Sequence, residues 1–177
     1  VPLPPVPEQE RIARELAAAM EAAERARRAA QERLAAAEAL PAAYLREVFE
    51  GRQAKSWPTV RLEDLSKTCS GATPSRDCPD YFGGNIPWVK TGELKDGVID
   101  STEERVTESA LRVCSLPLLP VGTLLIAMYG QGQTRGRTGL LACEATTNQA
   151  CFAVLPCQER FEPAFLQLWF RASYDKL

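Results

Sequence analysis

The sequence contains no histidine. That absence removes Ser–His and Cys–His catalysis, and with them imidazole metal ligation. Long apolar runs are missing too: no stretch could span a membrane as a helix. The opening VPLPPVPEQE has neither a basic region nor an apolar core, so it does not read as a secretory signal. Among Cys69, Cys78, Cys114, Cys143, Cys151 and Cys157 there is no C-x-x-C pair. Free thiols in a reducing cytoplasm, serving as small core hydrophobes, are therefore expected; a zinc site from such scattered thiolates is the weaker alternative. No internal repeat is visible. Nor is there an excess of basic charge: 21 basic against 23 acidic residues give a net charge of −2. As a total, this argues mildly against a nucleic-acid partner.

What is present falls into two parts. Residues 1–7 are proline-rich, which favours an extended lead-in. From Glu8 to Leu40 there is no Gly or Pro, and Ala, Glu and Arg dominate. This predicts one long helix, roughly 50 Å at 1.5 Å per residue. Ile12, Leu16, Ala19, Ala23, Ala26, Ala30 and Leu34 recur at steps of four and three, the period of a coiled-coil seam. The opposite face carries Glu21, Glu24, Arg25, Arg28 and Glu32. Such a helix cannot bury its stripe alone, so a second helix is expected against it. Pro41 should break the helix. Tyr44, Leu45, Val48 and Phe49 then suggest a short second segment ending at Gly51.

From Trp57 the pattern changes. Glycine and proline punctuate short apolar runs at Val60–Leu62, Ile86–Val89, Gly97–Ile99, Thr123–Tyr129, Thr138–Ala142 and Cys151–Leu155, which read as strands. Pro163 opens an amphipathic segment containing Phe165, Leu166, Leu168, Trp169 and Phe170, expected to be a helix on the sheet. The fold class is thus α+β: a long coiled-coil-type helix over 1–55, then a mixed, mostly antiparallel β-rich domain with peripheral helices over 56–177. The chain opens on Val1 and closes on Leu177 just after a helical segment. We expect it to be a piece of a longer polypeptide, with the second domain cut at its C-terminal side.

Charge is segregated within the second part. Met128 to Ala142 holds Arg135 and Arg137 and no acid, whereas Lys95 to Glu108 holds five acids against two bases. The segment Gly130-Gln-Gly-Gln-Thr-Arg-Gly136 superficially suggests a nucleotide-binding loop. Its glycine spacing is wrong, and a strand rather than a helix follows, so the phosphate cradle is missing. A hairpin loop presenting Gln131, Gln133, Thr134, Arg135 and Arg137 fits better. Arg can grip the guanine edge, Gln the adenine edge, and Thr a phosphate or thymine methyl. Composition alone favours a plain solvated loop.

A second polar cluster comprises Thr73, Ser75, Arg76, Lys90 and Thr91 around Trp88, itself expected in the core. Ser75 has no histidine to activate it. In Thr146, Thr147, Asn148 and Gln149, the Asn and Gln amides either fix a loop through backbone hydrogen bonds or read a base, and the first is the stronger expectation. Glu103 and Glu104 read as solvated surface acids. No Asn-Pro-Pro-Tyr methyltransferase motif and no recognisable nuclease core appear.

Several stretches carry a resemblance. PLPPVPEQERIA resembles the entry into the central helix of Type I restriction–modification specificity subunits, and LPAAYLREVFEGR its exit. WPTVRLEDL, GATPSRDCPDYFGGNIPWVKTGEL, VGTLLIAMYGQGQTRGRTGLL and TTNQACFAVLP resemble successive parts of a target-recognition domain of that family. The resemblance implies a non-catalytic subunit that reads double-stranded DNA. Two recognition domains, separated by paired antiparallel spacer helices, each read half of a split target. Modification subunits methylate adenine with S-adenosylmethionine, and restriction/translocase subunits cut. No cofactor is expected on this chain; S-adenosylmethionine, Mg and ATP belong to the partner subunits. Here one helix and one domain are present, implying a second spacer helix from the same subunit or a homodimer mate. The alternative is a coiled-coil scaffold module that does not bind DNA.

Overall fold

The computed structural model of the chain describes residues 2–129 and 134–174. It divides into two compact units, 1–44 and 45–177. Helix α1 runs Val6–Glu50. Pro7 falls in its first turn, where a missing N–H costs nothing, and Gly51 follows its last residue. Pairs such as Arg11–Glu15, Arg25–Glu21 and Arg28–Glu24 lace its surface at helical spacing.

The helix passes through Pro41 without interruption, contrary to the expected break. A proline in a helix interior removes one hydrogen bond and crowds the preceding turn. Here position 41 is exposed, so water can satisfy the freed carbonyl. Beyond it the helix is held by packing: the Phe49 ring lies 5.3 Å from Phe165 and 6.4 Å from Trp57, centroid to centroid. No side chain of α1 is buried.

Within 45–177 two sheets form. The larger has the order β1-β8-β5-β6-β3, and the smaller β4-β2-β7. The strands are β1 Thr68–Ser70, β2 Phe82–Val89, β3 Gly97–Ile99, β4 Glu104–Val106, β5 Leu124–Ala127, β6 Thr138–Leu141, β7 Thr146–Thr147 and β8 Cys151–Val154. Pairing is mostly antiparallel; β2–β7 and β3–β6 are parallel. Helices α2 Leu62–Leu65, α3 Glu108–Val113 and α4 Pro163–Ala172 lie among them. The expected strand at Val60–Leu62 is not one: the chain enters α2 at Leu62, whose side chain packs beside Phe170 instead of entering a ladder.

β5 explains why its run of apolar residues is unbroken. Side chains alternate across a strand, and both faces of β5 are covered. Leu124 and Ile126 join Val154 with Leu166 and Phe170 of α4. Leu125 and Ala127 join Val89, Leu94, Leu119 and Leu141 in a second core. A third core, Trp88, Val106, Ala110 and Leu116, seats α3 on the smaller sheet. Thr107 caps α3 by accepting the Ala110 N–H at 3.3 Å. On α4, buried Gln167 donates to the Gly97 carbonyl at 3.1 Å.

Candidate nucleic-acid interface

The first expected cluster stands on the smaller sheet. Trp88 is 2% exposed, and its indole N–H donates to the Ala72 carbonyl at 3.2 Å. This fastens the Gly71–Pro79 segment beside β2. The antiparallel register of β2 and β4 sets Glu104 opposite Trp88. Arg76 then reaches Glu104 with a two-pronged fork, at 2.7 and 3.0 Å. Its guanidinium carbon lies 4.4 Å from the Phe82 ring centroid and 5.6 Å from that of Trp88. Lys90 Nζ lies 2.9 Å from both Glu103 and Glu104.

Glu104 is therefore a half-buried anchor, not the solvated acid that composition suggested. The Arg76 fork, seconded by Lys90, holds its carboxyl down at about 2. Glu103 pushes the Lys90 ammonium up, with Glu104 adding to it; Glu104 does the same to Arg76. Glu93, unremarked in the sequence, braces the group. Its carboxylate accepts the backbone N–H of Lys90 at 2.7 Å and of Glu103 at 2.9 Å. Glu93, three residues after Lys90, supplies the acidic half of a capping box, and that spacing was the available signal.

The remaining members of this cluster are locally engaged. Ser75 Oγ accepts the Asp77 N–H at 3.2 Å, a turn-forming bond. The Thr73 hydroxyl bonds the Gln149 side-chain oxygen. Thr91 opens a single helical turn and is half-buried. The loop is fixed by the Thr147 hydroxyl and the Asn148 backbone N–H, which both donate to the Val89 carbonyl, at 3.0 and 3.1 Å, and not by the Asn148 side-chain oxygen, which is buried without a hydrogen-bond partner among the described residues.

The second cluster stands on the larger sheet, on the β5–β6 hairpin. Gln131 and Gln133 lie outside the described residues. Gly136 takes φ 83°, a conformation that suits glycine. Its N–H donates to the Ala127 carbonyl at 2.8 Å, and the Ala127 N–H donates to the Arg137 carbonyl at 2.9 Å. Asp96 pins the returning strand by accepting the Thr138 N–H and hydroxyl at 2.9 and 3.0 Å. Arg135 is exposed, while Thr134 and Arg137 are half-buried. An apolar recess of about 340 Å³ opens beside the hairpin, lined by Ile126, Phe152, Phe170 and Arg135. The structure thus unites Arg76 and Lys90 through Glu104, and places Thr134, Arg135 and Arg137 on a different sheet.

All six cysteines are free, and among the described residues no cluster of acids and cysteines could hold a metal ion. Burial pushes the Cys151 thiol up to about 11, consistent with a core role. No helix among the described residues is long and apolar enough to cross a membrane.

Comparison with known proteins places these features. Residues 54–177 match the family model described as the Type I restriction modification DNA specificity domain. Over 112 residues the chain is 31% identical to the Type I restriction enzyme MjaIX specificity subunit of Methanocaldococcus jannaschii, covering 60% of this chain and 24% of that protein. Over 102 residues it is 29% identical to the EcoR124I/EcoR124II specificity subunit of Escherichia coli, covering 56% and 25%. The matched part is thus about a quarter of each relative's length. Two solved structures share the fold. The HsdS subunit from Thermoanaerobacter tengcongensis has a TM-score of 0.64 at 24% identity, with 100% of this chain and 44% of that one covered. A chain from a study of complex assembly and conformational transition in the type I R-M system has a TM-score of 0.69 at 23% identity, covering 99% and 43%. With the family model spanning well over half of its length, the chain belongs to the Type I restriction modification DNA specificity domain family, a family of specificity rather than catalytic modules.

Proposed function

We propose that the chain reads one half of a bipartite DNA target and positions methyltransferase and restriction subunits on it, performing no chemistry itself. Residues 56–177 act as the target-recognition domain and residues 1–55 as the spacer. S-adenosylmethionine, Mg and ATP are used by the partner subunits. The match of residues 54–177 to a DNA specificity domain carries this reading. The β5–β6 hairpin supports it: Arg135 is exposed in the turn before β6, and β5 beneath is buried on both faces. Thr134, Arg135 and Arg137, with Gln131 and Gln133, form the reading loop. Thr73, Ser75, Arg76, Lys90 and Thr91 form a second contact region.

The spacer docks a second helix, from the same subunit or from a homodimer mate, along Ile12, Leu16, Ala19, Ala23, Ala26, Ala30 and Leu34. The exposure of Ile12, Leu16 and Leu34 supports this. Fixed helix length then sets the distance between half-sites.

The test is binding and methylation of target DNA by the assembled enzyme carrying R135A and R137A. Loss of one bidentate base contact costs ~1–3 kcal/mol, so target affinity should fall by at least about fivefold. Unchanged methylation would remove the loop assignment. A gel shift with the methyltransferase present that showed no sequence dependence would instead favour a scaffold module.

A further inference from the structure

Arg76 and Lys90 are cations at the surface of the smaller sheet, and both already have carboxylate partners. With Glu103 and Glu104 opposite them and the Glu93 carboxylate beside Lys90, two positive charges face three negative ones, so this corner carries no excess of positive charge. Glu104 is the shared member, bonded to both cations. It is not an isolated surface acid. It sits on β4 across from Trp88, its Arg76 partner is stacked over two aromatic rings, and Glu93 ties the backbones of Lys90 and Glu103 together.

Non-specific duplex binding comes almost wholly from cations that neutralise phosphates and release counter-ions. A guanidinium already forked onto a carboxylate must surrender that fork, or meet phosphate beside a fixed negative charge. We propose that Glu104 is a specificity-determining residue: an internal counter-ion that withholds Arg76 and Lys90 from indiscriminate phosphate binding and leaves them available to a duplex seated in the target register. This rests on the DNA-reading function proposed above. Glu104 acts through Arg76 and Lys90 and is a positioning residue.

The experiment uses the assembled enzyme and measures equilibrium binding to target and non-target duplexes across a salt series. E104Q should bind non-target duplex several-fold more tightly at low salt. Its plot of log K against log salt should steepen by about 1, and the ratio of target to non-target affinity should fall. E108Q removes the same charge from the same acidic stretch, where Glu108 faces Arg112, and should leave both affinities unchanged. In an R76A background the effect of E104Q should shrink, as expected for residues that act together. R76A alone should weaken target binding about tenfold and leave non-target binding within twofold.

A wild-type salt slope in folded E104Q would overturn the proposal, as would an equal shift in E108Q. So would a loss of non-target binding in R76A, which serves even if E104Q fails to fold. If the wild-type enzyme itself shows no preference for target, the DNA-reading function falls, not the masking role alone.

Discussion

Gly71 lies so close to Thr147 that a β-carbon at position 71 would sit 1.7 Å from the Thr147 carbonyl oxygen. The Ala72 N–H donates to that same oxygen at 3.0 Å, so the two backbones are held in contact. G71A must push them apart, against the bonds that tie Thr147 and Asn148 to Val89. We expect it to cost about 3 kcal/mol, the upper end for overpacking. Urea unfolding followed by tryptophan fluorescence would measure it, and wild-type stability would contradict the close approach.

The acid limb of the stability curve should depend on Glu104. Its carboxyl is held at about 2, against an ordinary value of 4.5, by Arg76 and then Lys90. A depressed acid stabilises the fold fully above its unfolded value and loses that contribution as pH falls through the folded one. Stability should therefore decline between about pH 4.5 and 2, and E104Q should flatten that decline. Thermal melts across that range, read by circular dichroism, would show the difference.

Assembly should be sensitive to the apolar stripe of α1. Leu16 and Leu34 are exposed on the chain, and each would contribute ~1.5–3 kcal/mol if buried by a partner helix. L16D combined with L34D should weaken subunit association about a hundredfold or more. Because the cores of unit 45–177 include no residue of 1–44, its melting temperature should not move. Analytical ultracentrifugation with the partner subunits would reveal the loss.

Pro41 is carried inside a continuous helix at an exposed position. Replacing it with alanine restores a hydrogen bond and removes a steric conflict, a change of up to about 3 kcal/mol in favour of the helix. P41A should raise the thermal midpoint of the helical circular-dichroism signal. A lowered midpoint would mean that the ring makes contacts of its own.

Much of the fold was legible where a local signal sufficed. β3 at Gly97–Ile99, β5, β6 and β8 follow apolar runs between turns, and α4 begins at Pro163. Harder elements depend on distant partners. β7 is two threonines made a strand by parallel pairing to Trp88 and Val89. β4, Glu-Arg-Val, has no apolar run and is defined by β2. β1 likewise depends on β8. The helix at Glu108–Val113 had a readable cap in Thr107 but little length.

In the site, the residue types were legible and their liaisons were not. Arg76 and Glu104 stand 28 positions apart, and nothing in either segment announces the other. Their meeting follows from strand register, which is a property of the folded sheet. Pro41 shows the opposite failure. A strong local rule was overruled because the conflict falls where water can reach it and the neighbouring turns stay intact.

Both ends of the stretch between Ala127 and Thr138 are moored in ladders whose side chains are mostly buried. Apart from Gly136, whose buried positive-φ backbone bonds Ala127, side chains between those moorings can change without disturbing either layer beneath. With that stretch as the reading loop proposed above, a lineage could exchange one address for another by editing a handful of codons, while the rest of the fold keeps its shape.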